Sequence, residues 1–449
     1  MVQVSRRTAL VSTAAASAAL SLAACGERPG STGASDGGGS APTKGALNLW
    51  HPYTQPERQA ALQKVFDAYT AETGVEVKAE VVAFGDFPKR WPSAQASNTL
   101  PDIAITTPEV AMSMWTAGAV ESMDDIISDA GGEGLYVDGL LDRTSRYDGK
   151  LFCLPHYVHT RLMHVRTDRL AEAGLSMPST MPEFLTAAEA MTKAPDYYGF
   201  IPQLSQNDVG GSYLLWIMAQ ANGASLFTKD GKVTLTDPGV VDAANWLGTI
   251  TKNAAPASAA TTPISETFNL INSGSASMAT TSAAGIASAL AEAPEVAANL
   301  DAVPMPSGSA GVGNLIGAVS VVKPKTKNTV DAGAFMKLLL QKDLYTEFLL
   351  CLPLFHFPAT KDGSGSEFYA NETITRYKGA VDATIEGIAE GAAPGFEEGA
   401  NPYSGSFFSA GRIEKALQDV AFNGISAADA MKSAQDDLQT TLDGITERL

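Results

Sequence analysis

Residues 47–81 read LNLWHPYTQPERQAALQKVFDAYTAETGVEVKAEV, and the hydrophobic period changes twice along them. Leu47, Asn48 and Leu49 start a short strand pattern. Thr54 and Glu57 have the spacing of a capping box, with Pro56 inside the first turn. Leu62, Val65, Phe66 and Tyr69 then recur at helical spacing, and Gly74 ends the helix. Val75, Val77, Ala79 and Val81 alternate, which predicts a strand with one apolar face. The stretch is therefore a strand–helix–strand unit.

The same grammar continues outward. Residues 101–105 form a short apolar strand pattern, and residues 110–117 look helical up to Gly118. Thr180 and Glu183 make a second capping-box signature ahead of Phe184, Leu185, Ala188 and Met191. Residues 199–201 are a brief strand. Asp237 followed by Pro238 predicts an N-cap and a helix through Val241, Ala244, Leu247 and Ile250. From Glu367 onward the pattern is helical with no convincing strand. Alternating units of this kind predict an α/β protein with largely parallel sheets. No fixed-period repeat is visible, which argues against a solenoid.

The N-terminus has a different composition. Ser5-Arg6-Arg7 precedes an uncharged stretch rich in Ala and Ser from Thr8 to Ala24. These are the flanks of an export signal, and the arginine pair resembles a twin-arginine signal. Leu22-Ala23-Ala24-Cys25 resembles a lipobox, which predicts a signal peptide at 1–24 and lipidation of Cys25. Two or more acyl chains hold a protein at a bilayer where one does not. The apolar stretch is short for a membrane span. Residues 25–46 are rich in Gly, Ser and Pro and cannot bury a core, so they read as a tether. A flexible coil of about 20 residues averages roughly 25 Å end to end.

The remaining chain is long enough for two or more domains. The formal charge of −18 disfavours nucleic acid and anionic headgroups as partners. The dinucleotide spacing at Gly311, Gly313 and Gly317 is one residue off, and Walker, nucleophile-elbow and His-Glu-x-x-His motifs do not occur. Cys153, His156, His159 and His164 fall close together, a density that can bind zinc. Pro155 interrupts the run, however, and in one strand His159 and His164 would point to opposite faces. We read them as pocket or structural histidines, and expect neither metal nor cofactor. Cys153 and Cys351 each precede Leu-Pro. In an oxidising location they can pair, or they can remain two thiols, and spacing leaves this open.

Several motifs fall in a familiar order. They include Leu100-Pro101-Asp102-Ile103, Ala117-Gly118-Ala119-Val120 with Met123-Asp124-Asp125, and Asp148-Gly149-Lys150 with Leu154-Pro155. Arg166-Thr167-Asp168 to Ala173-Gly174-Leu175, Gly274-Ser275-Ala276-Ser277-Met278 and Ala427-Ala428-Asp429-Ala430 follow. From Leu47 onward this order resembles the family 1 extracellular solute-binding proteins of ABC importers, the maltose-binding protein superfamily. The resemblance implies a type II two-lobe fold closing on a ligand by a hinge. It implies one lobe from 47–155 and 303–352 and another from 156–302 and 353–449. It also implies a monomer that is not an enzyme, with a sugar as ligand, a transmembrane permease as partner and a lipid anchor on the outer face of the membrane. The rival readings are another solute, such as a glycerol phosphodiester, polyamine or peptide, and a glycoside hydrolase using Asp102 and Glu109.

By family position, the expected ligand residues are His51 and Tyr53 after the first strand, and Thr106 and Glu109 after the Pro-Asp-Ile strand. His156, Tyr157, His159 and Arg161 follow the first crossing. Tyr213 and Trp216 lie on the helix after Gly210-Gly211, Asn314 in the Gly-rich loop, and Tyr403 and Phe407 at a late aromatic position. Many relatives carry a Gly-x-Trp platform after Gly-x-Ala-x-Met. Here the stretch is Thr280-Thr281-Ser282-Ala283-Ala284, so the platform is absent and Ser282 is the polar candidate left there. This points to a smaller solute, or to one held more by Arg and His.

Overall fold

The computed structural model describes residues 45–446 apart from 327, 329, 330 and 362–364. The signal peptide, Cys25 and nearly all of the tether lie outside the described residues. The strands are β1 (Leu47–His51), β2 (Val77–Val81), β3 (Ile103–Thr106), β4 (Arg146–Tyr147), β5 (Lys150–Leu151), β6 (Leu154–Thr160), β7 (Leu162–Arg166), β8 (Tyr198–Phe200), β9 (Ala276–Thr281), β10 (Leu300–Val303), β11 (Ile316–Val322) and β12 (Phe357–Pro358). Six of them form one sheet in the order β12-β6-β11-β3-β1-β2, and four form a second in the order β10-β7-β9-β8. β4 and β5 make a hairpin.

The opening unit folds as its periodicity predicts. β1 pairs in parallel with both β2 and β3, and the helix Pro56–Thr73 buries Leu62, Val65, Phe66 and Tyr69. The first capping box does not form. Gln55 is the cap residue, so Glu57 falls one position short of the third helical residue that the reciprocal bond needs. At Thr180 the spacing is right and both bonds of the box are made. Asp237 caps its helix through the Gly239 N–H at 2.9 Å. β2 departs from expectation in its burial. It is an edge strand with no residue fully buried, and Val81 is 42 % exposed.

The sheets are mixed rather than largely parallel. β11 is antiparallel to both β3 and β6, and β7 is antiparallel to both β9 and β10. The reason is topological. β6 leaves the six-stranded sheet for β7 through the single residue Arg161, and β11 returns to that sheet, so outgoing and returning neighbours oppose each other. β6 keeps its place in the six-stranded sheet as far as Thr160, and β12 joins the edge of the same sheet. Boundaries at 155 and 352 therefore fall before these segments leave the first sheet.

One core packs Leu49, Ile103, Val158 and Val321 under Phe66, Phe335 and Phe348. A second gathers Phe184, Trp216, Leu247, Met278, Phe407 and Leu438. A smaller one holds Trp50, Phe87, Trp91, Met112 and Phe396. No helix among the described residues is long and apolar enough to cross a membrane.

Candidate ligand site at the β6–β7 crossing

The site is built on β6. Val319 pairs with Tyr157 and Ser320 with Pro155, so His156 is the extra residue of a β-bulge. A bulge re-aims the side chains beside it. Here the rings of His156 and Tyr157 both reach Phe348, with centroids 4.3 and 6.0 Å from it. Beyond the bulge the pleat resumes, and residues two apart share a face. Tyr157, His159 and Arg161 therefore follow one another along one face toward the crossing.

Arg58, in the first turn of helix Pro56–Thr73, donates to the Tyr157 hydroxyl at 2.5 Å and to Gln55 Oε1 at 3.2 Å. Its guanidinium lies over the Tyr53 ring, 4.3 Å from the centroid. The Tyr53 hydroxyl is 3.4 Å from His156 Nδ1. His51 Nδ1 accepts from the Tyr53 N–H at 3.3 Å. His356 meets the Tyr157 ring edge-on at 4.5 Å. Burial, reinforced by Arg58, lowers the pKa of His156 to about 3, that of His51 to about 4, and that of His356 well below its ordinary value. His159 is lowered to about 3 by burial and then by Arg161 and Arg58. These imidazoles are neutral at pH 7. His156 Nε2, His159 Nδ1, both His356 nitrogens and Arg58 Nε are buried and have no hydrogen-bond partner.

Arg161 links this cluster to the second sheet. It donates to the Thr280 carbonyl on β9 at 3.2 Å. Burial disfavours its charge, and the neighbouring Tyr213 and Asp208 counteract that effect. Tyr213 is half-buried on helix Gly210–Ala221. Its phenol is held well above the usual range by burial and then by Glu109. Glu109, in the first turn of helix Pro108–Thr116, is also raised by burial, and its Oε2 has no partner. The structure therefore brings together Tyr53, His156, Tyr157, His159 and Arg161, with Tyr213 beside Arg161 and Glu109 beside Tyr213. Ser282 directly follows the strand that anchors Arg161.

Other expected residues lie elsewhere. Trp216 is in the second core, and its indole N–H donates to Glu397 at 3.1 Å. Phe407 stacks on Phe227 at 4.3 Å, and the Tyr403 hydroxyl lies 2.9 Å from that of Thr446. Asn314 reaches toward Glu390 at 3.5 Å. Thr106 is fully buried within β3. Asp102 accepts from Asn48, Thr326 and Asn328 and ties down a strand end. Cys153 and Cys351 are both free thiols. Cys153 faces the Ser145 hydroxyl, while Cys351 is within the electrostatic reach of Arg58. His164 packs against Gly285, away from His159. Among the described residues, no group of three or more His, Cys, Asp or Glu side chains is arranged to hold a metal.

The family of bacterial extracellular solute-binding proteins matches residues 53–344. The chain belongs to that family. This solute-binding protein is 24 % identical over 323 residues to an Escherichia coli (strain K12) protein named as the ABC transporter periplasmic-binding protein YcjN, covering 71 % of this chain and 74 % of that one. Its fold matches a solute-binding protein of Thermotoga lettingae solved with α-D-tagatose. The TM-score is 0.75 at 19 % identity, over 89 % of this chain and 100 % of the other. It also matches an Arthrobacter chlorophenolicus sugar transporter solved with laminaribiose, with a TM-score of 0.71 at 17 % identity over 88 % and 99 %. The ordered motifs of the sequence and the α/β, type II fold they implied are thereby borne out.

Sequence reasoning missed Arg58, Asp208 and His356 as neighbours of this cluster. Arg58 reads as an ordinary polar residue of an amphipathic helix. Asp208 sits in a polar loop, and its carboxylate accepts from the Val209 and Ile264 N–H groups. His356 is 199 residues from Tyr157, whose ring it meets, and no local pattern marks it.

Proposed function

We propose that this solute-binding protein captures a sugar outside the cell and delivers it to the transmembrane subunits of an ABC importer. In this reading it is exported through a twin-arginine signal and held at the membrane by a lipid on Cys25. The observation that carries the proposal is the face of β6. Tyr157, His159 and Arg161 stand in line where the chain passes between the sheets, with Tyr213 from another element beside Arg161 and Glu109 next to Tyr213. Sugars need flat apolar surfaces for their ring faces and planar donors and acceptors for their hydroxyls. The solved relatives with tagatose and laminaribiose support the same class. Closure of the two sheets about the crossings would complete the contacts.

A thermal-shift screen of the protein against mono- and oligosaccharides, polyols and sugar acids tests this. A ligand at about 100 times its Kd adds roughly 2.7 kcal/mol to stability. A saturable shift with one carbohydrate class is expected. Shifts with a peptide or polyamine and with no carbohydrate would overturn the sugar.

A further inference from the structure

Two guanidinium groups at the site lack acidic partners. Arg58 is 8 % exposed, and Arg161 is half-buried. Neither takes part in an ion pair among the described residues, although the chain has 49 acidic residues to 31 basic ones. Other arginines are satisfied in ordinary ways. Arg166 pairs with Asp168 at 2.6 Å. Arg143 donates to the carbonyls of Ile388, Gly391 and Asp138. Arg58 has five donors and hydrogen-bonds only Gln55 and Tyr157, leaving Nε without a partner. Arg161 bonds the Thr280 carbonyl. Removing such a charge from water costs several kcal/mol unless an opposite charge and hydrogen bonds compensate. The Tyr53 face offsets only part of this by cation–π attraction.

The nearby carboxyl groups do not fill the gap. Asp208 acts on Arg161 from a distance but forms no ion pair with it, its carboxylate accepting two backbone N–H groups instead, and burial raises the pKa of Glu109. His159 lies between the two arginines along the β6 face and is influenced electrostatically by both. Its unpartnered Nδ1, with His156 Nε2 and both nitrogens of His356, adds buried polar atoms without adding charge.

We propose that the solute carries an anionic group, a carboxylate or a phosphate, bound within reach of Arg58 and Arg161. This rests on the sugar-binding reading and narrows it to sugar acids or sugar phosphates. Guanidinium groups suit both anions because they offer paired N–H donors.

Titration calorimetry on the full-length protein decides it. D-Glucuronate, D-galacturonate, D-gluconate and D-glucose 6-phosphate are compared with D-glucose, D-galactose and sorbitol at matched ionic strength. At least one acid is expected to bind tenfold or more tightly than its neutral counterpart. Gluconate or the uronates would identify a carboxylate, and the 6-phosphate a phosphate. That preference should drop at least tenfold in Arg161→Met and be partly kept in Arg161→Lys. Arg58→Met is the second variant, and its melting curve reports separately whether the fold survives. Equal binding of neutral sugars would overturn the anionic group and leave sugar binding intact. So would a preference that survives in Arg161→Met, or the failure of every acid to bind while a neutral sugar does. Binding of a peptide or polyamine and of no sugar would overturn both proposals, as would no binding by any acid or neutral sugar.

Discussion

Gly317 lies opposite His159 in the β6–β11 ladder, and a Cβ there would overlap the imidazole. The glycine is what leaves room for the ring against β11. Gly317→Ala should therefore displace His159. An overpacked site of this kind costs about 1–3 kcal/mol, and ligand affinity should fall with it. Urea denaturation and calorimetry on the same variant would check both, and an unchanged midpoint would show that His159 can move aside freely. Tyr157→Phe keeps the ring and removes the oxygen that receives the Arg58 guanidinium. Loss of a bond to a charged group costs about 1.5–3 kcal/mol. A loss well under 1 kcal/mol would mean that Arg58 is held by the Tyr53 face instead.

At the scale of elements, the two candidate capping boxes make a controlled pair. Thr180 accepts the Glu183 N–H, and Glu183 returns bonds to the Thr180 and Ser179 N–H groups. Thr54 lies before the cap residue Gln55 and closes nothing. Thr180→Ala should cost about 1 kcal/mol, whereas Thr54→Ala should stay within about 0.5 kcal/mol. Equal losses in chemical denaturation would contradict this assignment of the caps. The β6 bulge is the other decisive element. Without the extra residue at His156, the alternation of the strand would place His156 and Tyr157 on opposite faces, and the ring cluster around Phe348 could not form.

For the whole molecule, the five histidines make stability depend on pH. Burial lowers His51 and His164 to about 4, His156 and His159 to about 3, and His356 well below its ordinary value. In the unfolded chain they titrate near 6.5. Between about pH 6.5 and 4 the unfolded state thus binds more protons, so stability falls as the pH is lowered through that window. Each histidine contributes up to about 1.4 kcal/mol per pH unit there. Glu414, raised to about 7, and Glu109 and Glu397, also raised, act in the opposite sense. The histidines outnumber them, so the net loss on acidification should persist. Denaturation midpoints at pH 7, 6 and 5 would measure it, and a flat profile would refute it. A second molecular-scale test concerns the contact between helix Ser404–Phe408 and helix Pro108–Thr116. A side chain at Gly405 would strike the Ser113 hydroxyl and the Glu109 carbonyl. Gly405→Leu should overpack this contact and cost about 1–3 kcal/mol, seen as a fall in Tm. An unchanged Tm would mean that the two helices can move apart freely.

The sequence by itself determined the family, the α/β class, the βα order and the caps at Thr180 and Asp237. These depend on periodicity and on neighbours a few residues apart, which the chain carries locally. Tyr157, His159 and Arg161 were singled out by family position alone, and their alignment along β6 and the crossing that follows it was not visible in the sequence. Only the tertiary structure decided that Trp216, Tyr403 and Phe407 turn into the second core while Tyr53 and Tyr213 turn toward Arg58 and Arg161. Periodicity marks an aromatic as buried without saying which remote element covers it. The antiparallel course of β11, the bulge at His156 and the arrival of Arg58 and His356 beside it likewise follow from chain crossings and pairings distant in sequence.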